Sequence, residues 1–144
     1  MNGFSQTIAG LSLVPTTGAG TRTITSTAAA TFTINNATDN TYGGVLTGAG
    51  LALTKSGDGL LSLTGNNTYQ GKTTVSGGKL LLTGTTASTL FEIAGGAELE
   101  INVASGTRDM PTSTLTGGGR LIKSGTGTLQ WGATLGTFAC VPAN

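Results

Sequence analysis

Short segments that alternate apolar and polar residues return along this chain, each closed by a glycine bend, and the bends echo one another at set spacings. Leu46-Thr47-Gly48-Ala49-Gly50 followed by Lys55-Ser56-Gly57-Asp58-Gly59 returns as Leu115-Thr116-Gly117-Gly118-Gly119 followed by Lys123-Ser124-Gly125-Thr126-Gly127, with 68 residues between the two lysines. Asn40-Thr41-Tyr42-Gly43-Gly44 and Asn67-Thr68-Tyr69-Gln70-Gly71 stand 27 residues apart. Gly77-Gly78-Lys79-Leu80 and Gly95-Gly96-Ala97-Glu98 stand 18 apart. Self-similarity on this scale is the mark of stacked supersecondary units, with coils of ~18 to 27 residues and the longest echo spanning about three of them.

The segments between the bends have strand periodicity. Thr31-Phe32-Thr33-Ile34, Leu51-Ala52-Leu53, Leu61-Ser62-Leu63, Lys79-Leu80-Leu81-Leu82 and Glu98-Leu99-Glu100-Ile101-Asn102-Val103 are each about one strand long. No stretch of about 11 residues keeps a helical apolar face free of glycine or dense β-branched threonine, so essentially no helix is expected. An antiparallel sandwich or barrel would show two-residue hairpin signals between long alternating strands, and these are missing. The pattern therefore predicts one all-β domain over residues 1–144, a parallel β-solenoid of about six or seven coils and roughly 30 Å in length, with coils ~4.8 Å apart. Its expected inward column comprises Ile8, Leu11, Ile24, Phe32, Ile34, Leu51, Leu53, Leu61, Leu63, Val75, Leu80, Leu82, Ile93, Leu99, Ile101, Val103, Leu121, Leu129 and Trp131.

Composition removes many functions. Seven Lys and Arg against six Asp and Glu leave a net charge of +1 and no basic run, so no nucleic-acid footprint exists. The chain has no His and one Cys, which excludes Ser-His-Asp and Cys-His catalysis and the usual zinc ligand sets. Neither a cofactor nor a metal site is expected. The longest aliphatic run, Leu80-Leu81-Leu82, is far below the ~20 residues of a membrane-spanning helix. Residues Met1 to Gln6 lack the basic and apolar regions of a secretory leader, so the chain reads as cytosolic or as a piece of a longer protein. Cys140 cannot close an internal disulfide and reads as a small buried residue, its role otherwise open.

The remaining candidates for chemistry are few. Glu98 and Glu100 share one strand face and resemble a pair of glycosidase acids, but no aromatic platform accompanies them and a solvated face accounts for both. A polysaccharide-cleaving site would have to gather two of Asp39, Asp58, Glu92, Glu98, Glu100 and Asp109. Asp58 between two glycines has the look of a calcium turn, but Thr126 stands in its place in the later echo and can supply no carboxylate, so Asp58 reads as a bend residue. Thr21, Thr23, Thr25 and Thr27, with Thr31 and Thr33, have the spacing of an ice-binding array, but later coils are not expected to continue it. Tyr42 and Tyr69 sit in equivalent Asn-Thr-Tyr settings, expected to stack at a coil corner, and are the candidate surface contacts to a glycan.

Residues 61–80 follow the pattern Leu-x-Leu-x-Gly-x-Asn-Thr-Tyr-x-Gly-x-Thr-x-Val-x-x-Gly-x-Leu through Leu61, Leu63, Gly65, Asn67, Thr68, Tyr69, Gly71, Thr73, Val75, Gly78 and Leu80, after Gly57 and Gly59. This segment resembles the passenger-associated transport repeat of bacterial autotransporters, most strongly over residues 46–83 and more loosely over 112–132. The resemblance implies a right-handed parallel β-helix in a secreted or outer-membrane surface passenger, which folds progressively during export, and brings no catalytic residue with it. A stalk, spacer and secretion-folding module is thus the leading expectation, with an adhesin or glycan-binding face as the alternative. Solenoids without polar caps expose unpaired strand edges, so isolated copies are expected to self-associate end to end. Other expected partners are a surface glycan or host receptor, with no nucleic acid and no membrane insertion by this segment.

Overall fold

The computed structural model describes residues 1–13, 21–132 and 139–142. Its strands run β1 (Gln6–Ile8), β2 (Thr23–Thr25), β3 (Ala30–Asn35), β4 (Asn40–Tyr42), β5 (Val45–Gly48), β6 (Leu51–Ser56), β7 (Leu60–Leu63), β8 (Thr68–Tyr69) and β9 (Thr73–Val75). They continue through β10 (Lys79–Leu82), β11 (Leu90–Ile93), β12 (Glu98–Asn102), β13 (Thr107–Met110), β14 (Thr114–Gly117), β15 (Arg120–Ser124), β16 (Thr128–Trp131) and β17 (Ala139–Pro142). Among the described residues there is no helix.

Every ladder is parallel, and strands pair with strands one turn away. The first face stacks β1, β3, β6, β9, β11 and β14; the second stacks β4, β7, β10, β12, β15 and β17. A third face carries β2, β5 and β8, and separately β13 and β16. Chain order through β16 visits the three faces in rotation, except that no third-face strand stands between β10 and β11 and only the bridge from Leu13 to Tyr42 marks the second face before β2; this is a β-solenoid of about five turns rather than six or seven. The count is lower because turns vary in length: Gln6 pairs with Phe32, 26 residues on, and Phe91 with Leu115, 24 on, whereas Thr73 meets Phe91 after only 18.

Pleat alternation sends one side of each strand inward. Phe32, Ile34, Leu51, Leu53, Leu61, Leu63, Val75, Leu80, Leu82, Ile93, Leu99, Ile101, Val103 and Leu121 are buried as expected from sequence, while Ile8, Leu11, Ile24, Leu129 and Trp131 pack half-buried around them. Leu46, Phe91, Met110, Leu115 and both Tyr42 and Tyr69 join that core. Most strands of the first and second faces contribute two large side chains each, such as Leu61 and Leu63 or Leu80 and Leu82, to a continuous apolar column.

The echoes follow geometry different from simple stacking. Lys55 lies on the first face in β6, but Lys123 lies on the second in β15, so the 68-residue spacing is three turns plus one face. Tyr42 lies on the second face and Tyr69 on the third, one turn plus one face apart, and they do not stack. The 18-residue echo is out of register by one: Leu80 pairs with Leu99 and Lys79 with Glu98, a spacing of 19. A one-residue slip would turn every side chain of β12 to the opposite side, and burial of Leu99 and Ile101 forbids it.

Outward threonines do recur. Thr7, Thr33, Thr54 and Thr74 follow one another in register on the first face, then Glu92 and Thr116, so a single threonine column continues although the Thr-x-Thr array does not. It is one residue wide: Thr31 pairs with Ala52, so the neighbouring column does not continue as threonine. Thr23 and Thr25 lie on the third face, away from it.

Candidate functional site

The repeat segment is built around two kinds of corner. At the first, β6 ends in Lys55, which stands in an inward column between Ile34 and Val75. Its side chain is fully buried, and Nζ donates to the carbonyls of Ser56 (2.8 Å), Gly57 (2.8 Å) and Gly77 (3.2 Å), pinning this turn to the next. Burial holds the ammonium below its ordinary pKa, partly offset by the charge of Asp58. Gly57 follows at φ +77°, where a Cβ would stand 2.5 Å from the Asn36 carbonyl. Lys123 repeats the device on another face: it occupies the column after Ile101, donates to the Gly125 carbonyl, and Gly125 has φ +78°. The alternation Leu51, Leu53, Lys55 already marks the lysine as inward.

At the second corner, Asn67 is buried and joins three turns. Its Oδ1 accepts from the Leu46 amide (2.9 Å), and its Nδ2 donates to Gly65 (2.9 Å) and to Thr85 (3.5 Å). Thr68 stays exposed and donates to the Thr47 hydroxyl at 2.7 Å. Tyr69 turns fully inward, its hydroxyl 2.7 Å from that of Thr73, which donates to Ser88, which donates to the Gly71 carbonyl. Tyr42 is also buried, donating to the Arg22 carbonyl at 3.0 Å. Neither tyrosine is a surface contact: both spend the ring on the core and the hydroxyl on an internal partner. Burial accordingly pushes the phenol of Tyr69 above its ordinary value. Tyr69→Phe, which removes the first link of this hydroxyl chain while Thr73 keeps its bond to Ser88, is expected to lower stability by about 1 kcal/mol in urea denaturation with little change in shape.

The other repeat positions have one task each. Leu61, Leu63, Val75 and Leu80 are inward and fully buried, Thr73 belongs to the hydroxyl chain, and Gly59, Gly65, Gly71 and Gly78 lie against backbone of the preceding turn. Sequence reasoning has no signal for Ser88, whose neighbours lie outside any strand.

Four of the six candidate acids are dispersed among structural duties, while Asp58 and Asp109 stand exposed. Glu98 pairs with Arg120, Glu92 with Lys72 (2.6 Å), and Glu100 with Lys79 (2.5 Å). Asp39 accepts from the Leu60 amide, and Asp58 is exposed at its bend. Burial raises the pKa of Glu100, but the hydrogen bonds from Lys79 and Ser124 and the Lys79 charge outweigh it and hold the carboxyl below its ordinary 4.5. Its contribution is therefore complete above pH 4.5 and lost as pH falls through the lowered folded value. Lys79→Met should flatten that acid loss, by about 0.2 to 1 kcal/mol, in denaturation followed against pH. Cys140 falls in β17 opposite Leu121, but its side chain lies outside the described residues.

Corners, faces and column together define a parallel β-solenoid repeat module. Residues 53–82 match the passenger-associated-transport-repeat model and carry that repeat. Over 80 residues, 55% of this chain, the sequence is 45% identical to the "Adhesin BmaC autotransporter" of Brucella suis biovar 1 (strain 1330). The chain spans about 2% of that relative's length. No solved structure matches it.

Proposed function

We propose that this chain is a rigid structural segment of a surface-exposed autotransporter passenger, a spacer that also helps the passenger fold during export. The observation that carries the reading is the corner chemistry of residues 53–82: each turn offers the next a full strand edge and a capped corner, so ordering propagates turn by turn. The pairing of Glu92, Glu98 and Glu100 with basic side chains and the chain's likeness to an adhesin support a non-enzymatic role at the cell surface. An adhesive face is the second reading, supported by the description of that relative. Among the described residues no strand pairs with the outer edge of β17, which supports association between isolated copies as part of the same proposal.

The test places the module in a passenger with its own translocator and measures display at the cell surface by protease accessibility. The wild-type module should reach the surface, while the Gly48→Ala module is displayed poorly. Equal display of the destabilised and wild-type modules would contradict a folding role.

A further inference from the structure

The third face is interrupted. Residues 83–89 form no strand, and β13 pairs with β16 alone, so no ladder joins these two turns. A cavity of about 420 Å³ opens there, within the range that holds small ligands, between Thr83–Thr86 and Asn102–Met110. Into it β13 brings Arg108. Along this strand Thr107 and Asp109 are exposed and Met110 is buried, so Arg108 stands on the inward phase beneath the break. Its Nη2 is buried without a partner, and no ion pair forms between Arg108 and any carboxylate among the described residues. A guanidinium so placed lacks the acceptor that normally accompanies burial. The fork of N–H donors matches a carboxylate in two parallel hydrogen bonds. The rim supplies the hydroxyls of Thr85, Thr86, Thr107 and Ser105, suited to sugar hydroxyls.

We propose that this slot binds an acidic saccharide, with Arg108 holding the carboxylate and the threonine rim holding ring hydroxyls. This goes beyond the scaffold role and does not depend on it. Calorimetric titration of the chain with digalacturonate tests it, with maltose as the neutral sugar and N-acetylglycylglycine as a peptide carboxylate. Digalacturonate should bind, weaken with added salt, and lose about tenfold or more in affinity on Arg108→Gln. Asp109→Asn removes a like charge from the cavity wall and should tighten binding at least about twofold, which keeps the test decisive if Arg108→Gln fails to fold. No binding, equal binding of maltose, an unchanged affinity in either variant, or a peptide carboxylate bound as tightly would each overturn the proposal.

Discussion

Lys55→Met is expected to lower the stability of the chain by about 2 to 4 kcal/mol in urea denaturation, with the slope unchanged. Replacing a buried charge by an apolar residue of similar shape is often harmless when its partner is removed as well. Here the partners stay. They are main-chain carbonyls of Ser56, Gly57 and Gly77, on two successive turns, and no side-chain substitution removes them. Methionine keeps the stem packed between Ile34 and Val75, so the loss reports the ammonium and its three acceptors rather than a cavity. Lys123→Met supplies the comparison, because the same corner there is half-buried and its contact with the Gly125 carbonyl is open to water. That variant should lose under about 1 kcal/mol. A Lys55→Met chain as stable as wild type would show that the corner is held by the ladder alone.

Gly48→Ala should be comparably costly, about 3 kcal/mol, or roughly 6 to 12 °C in melting temperature for a chain of this size. Gly48 has φ +116°, and a Cβ on it would stand 2.1 Å from the Ser26 carbonyl of the preceding turn. The obstacle cannot retreat cheaply. Ser26 donates its amide to Thr47 and Gly48 accepts from Gln70, so both neighbouring turns would have to move. Gly117 occupies the matching place in the later echo, with φ +104° and a contact of 2.0 Å to the Ile93 carbonyl, and Gly117→Ala should behave alike. Gly95→Ala is the control, since nothing lies within 4 Å of its Cβ position, and should change stability by no more than about 0.5 kcal/mol. Thermal melting monitored in the strand region separates the first two from the control.

Much of this architecture is legible because glycine bends and two-residue alternation are local signals. Leu61, Leu63, Leu80 and Leu82 can be placed inward from phase alone, and the structure buries them completely. The echoes are true repetition, but they do not stack as their spacing suggests. Lys55-Ser56-Gly57 and Lys123-Ser124-Gly125 are alike because one corner solution serves any vertex of a three-faced coil, and a local corner carries no mark of which vertex it occupies. Tyr42 and Tyr69 mislead for the same reason, sharing Asn-Thr-Tyr while lying on different faces. The slot at Arg108 has no sequence signal, since it arises where Thr83–Thr89 fails to form a third-face strand, an absence that only stacking reveals.

Successive turns stack parallel and in register, and disulfide trapping in a Cys140→Ser background tests this most directly. Thr54 and Thr74 are register partners on β6 and β9, whereas Thr54 and Glu92 are two turns apart. Adjacent parallel strands lie ~4.8 Å apart, within reach of a disulfide, and a two-turn gap of about 10 Å is beyond it. Thr54→Cys with Thr74→Cys should therefore cross-link on mild oxidation of the folded chain and resist unfolding afterwards, and Thr54→Cys with Glu92→Cys should not. Trapping of the second pair and not the first would contradict the solenoid register.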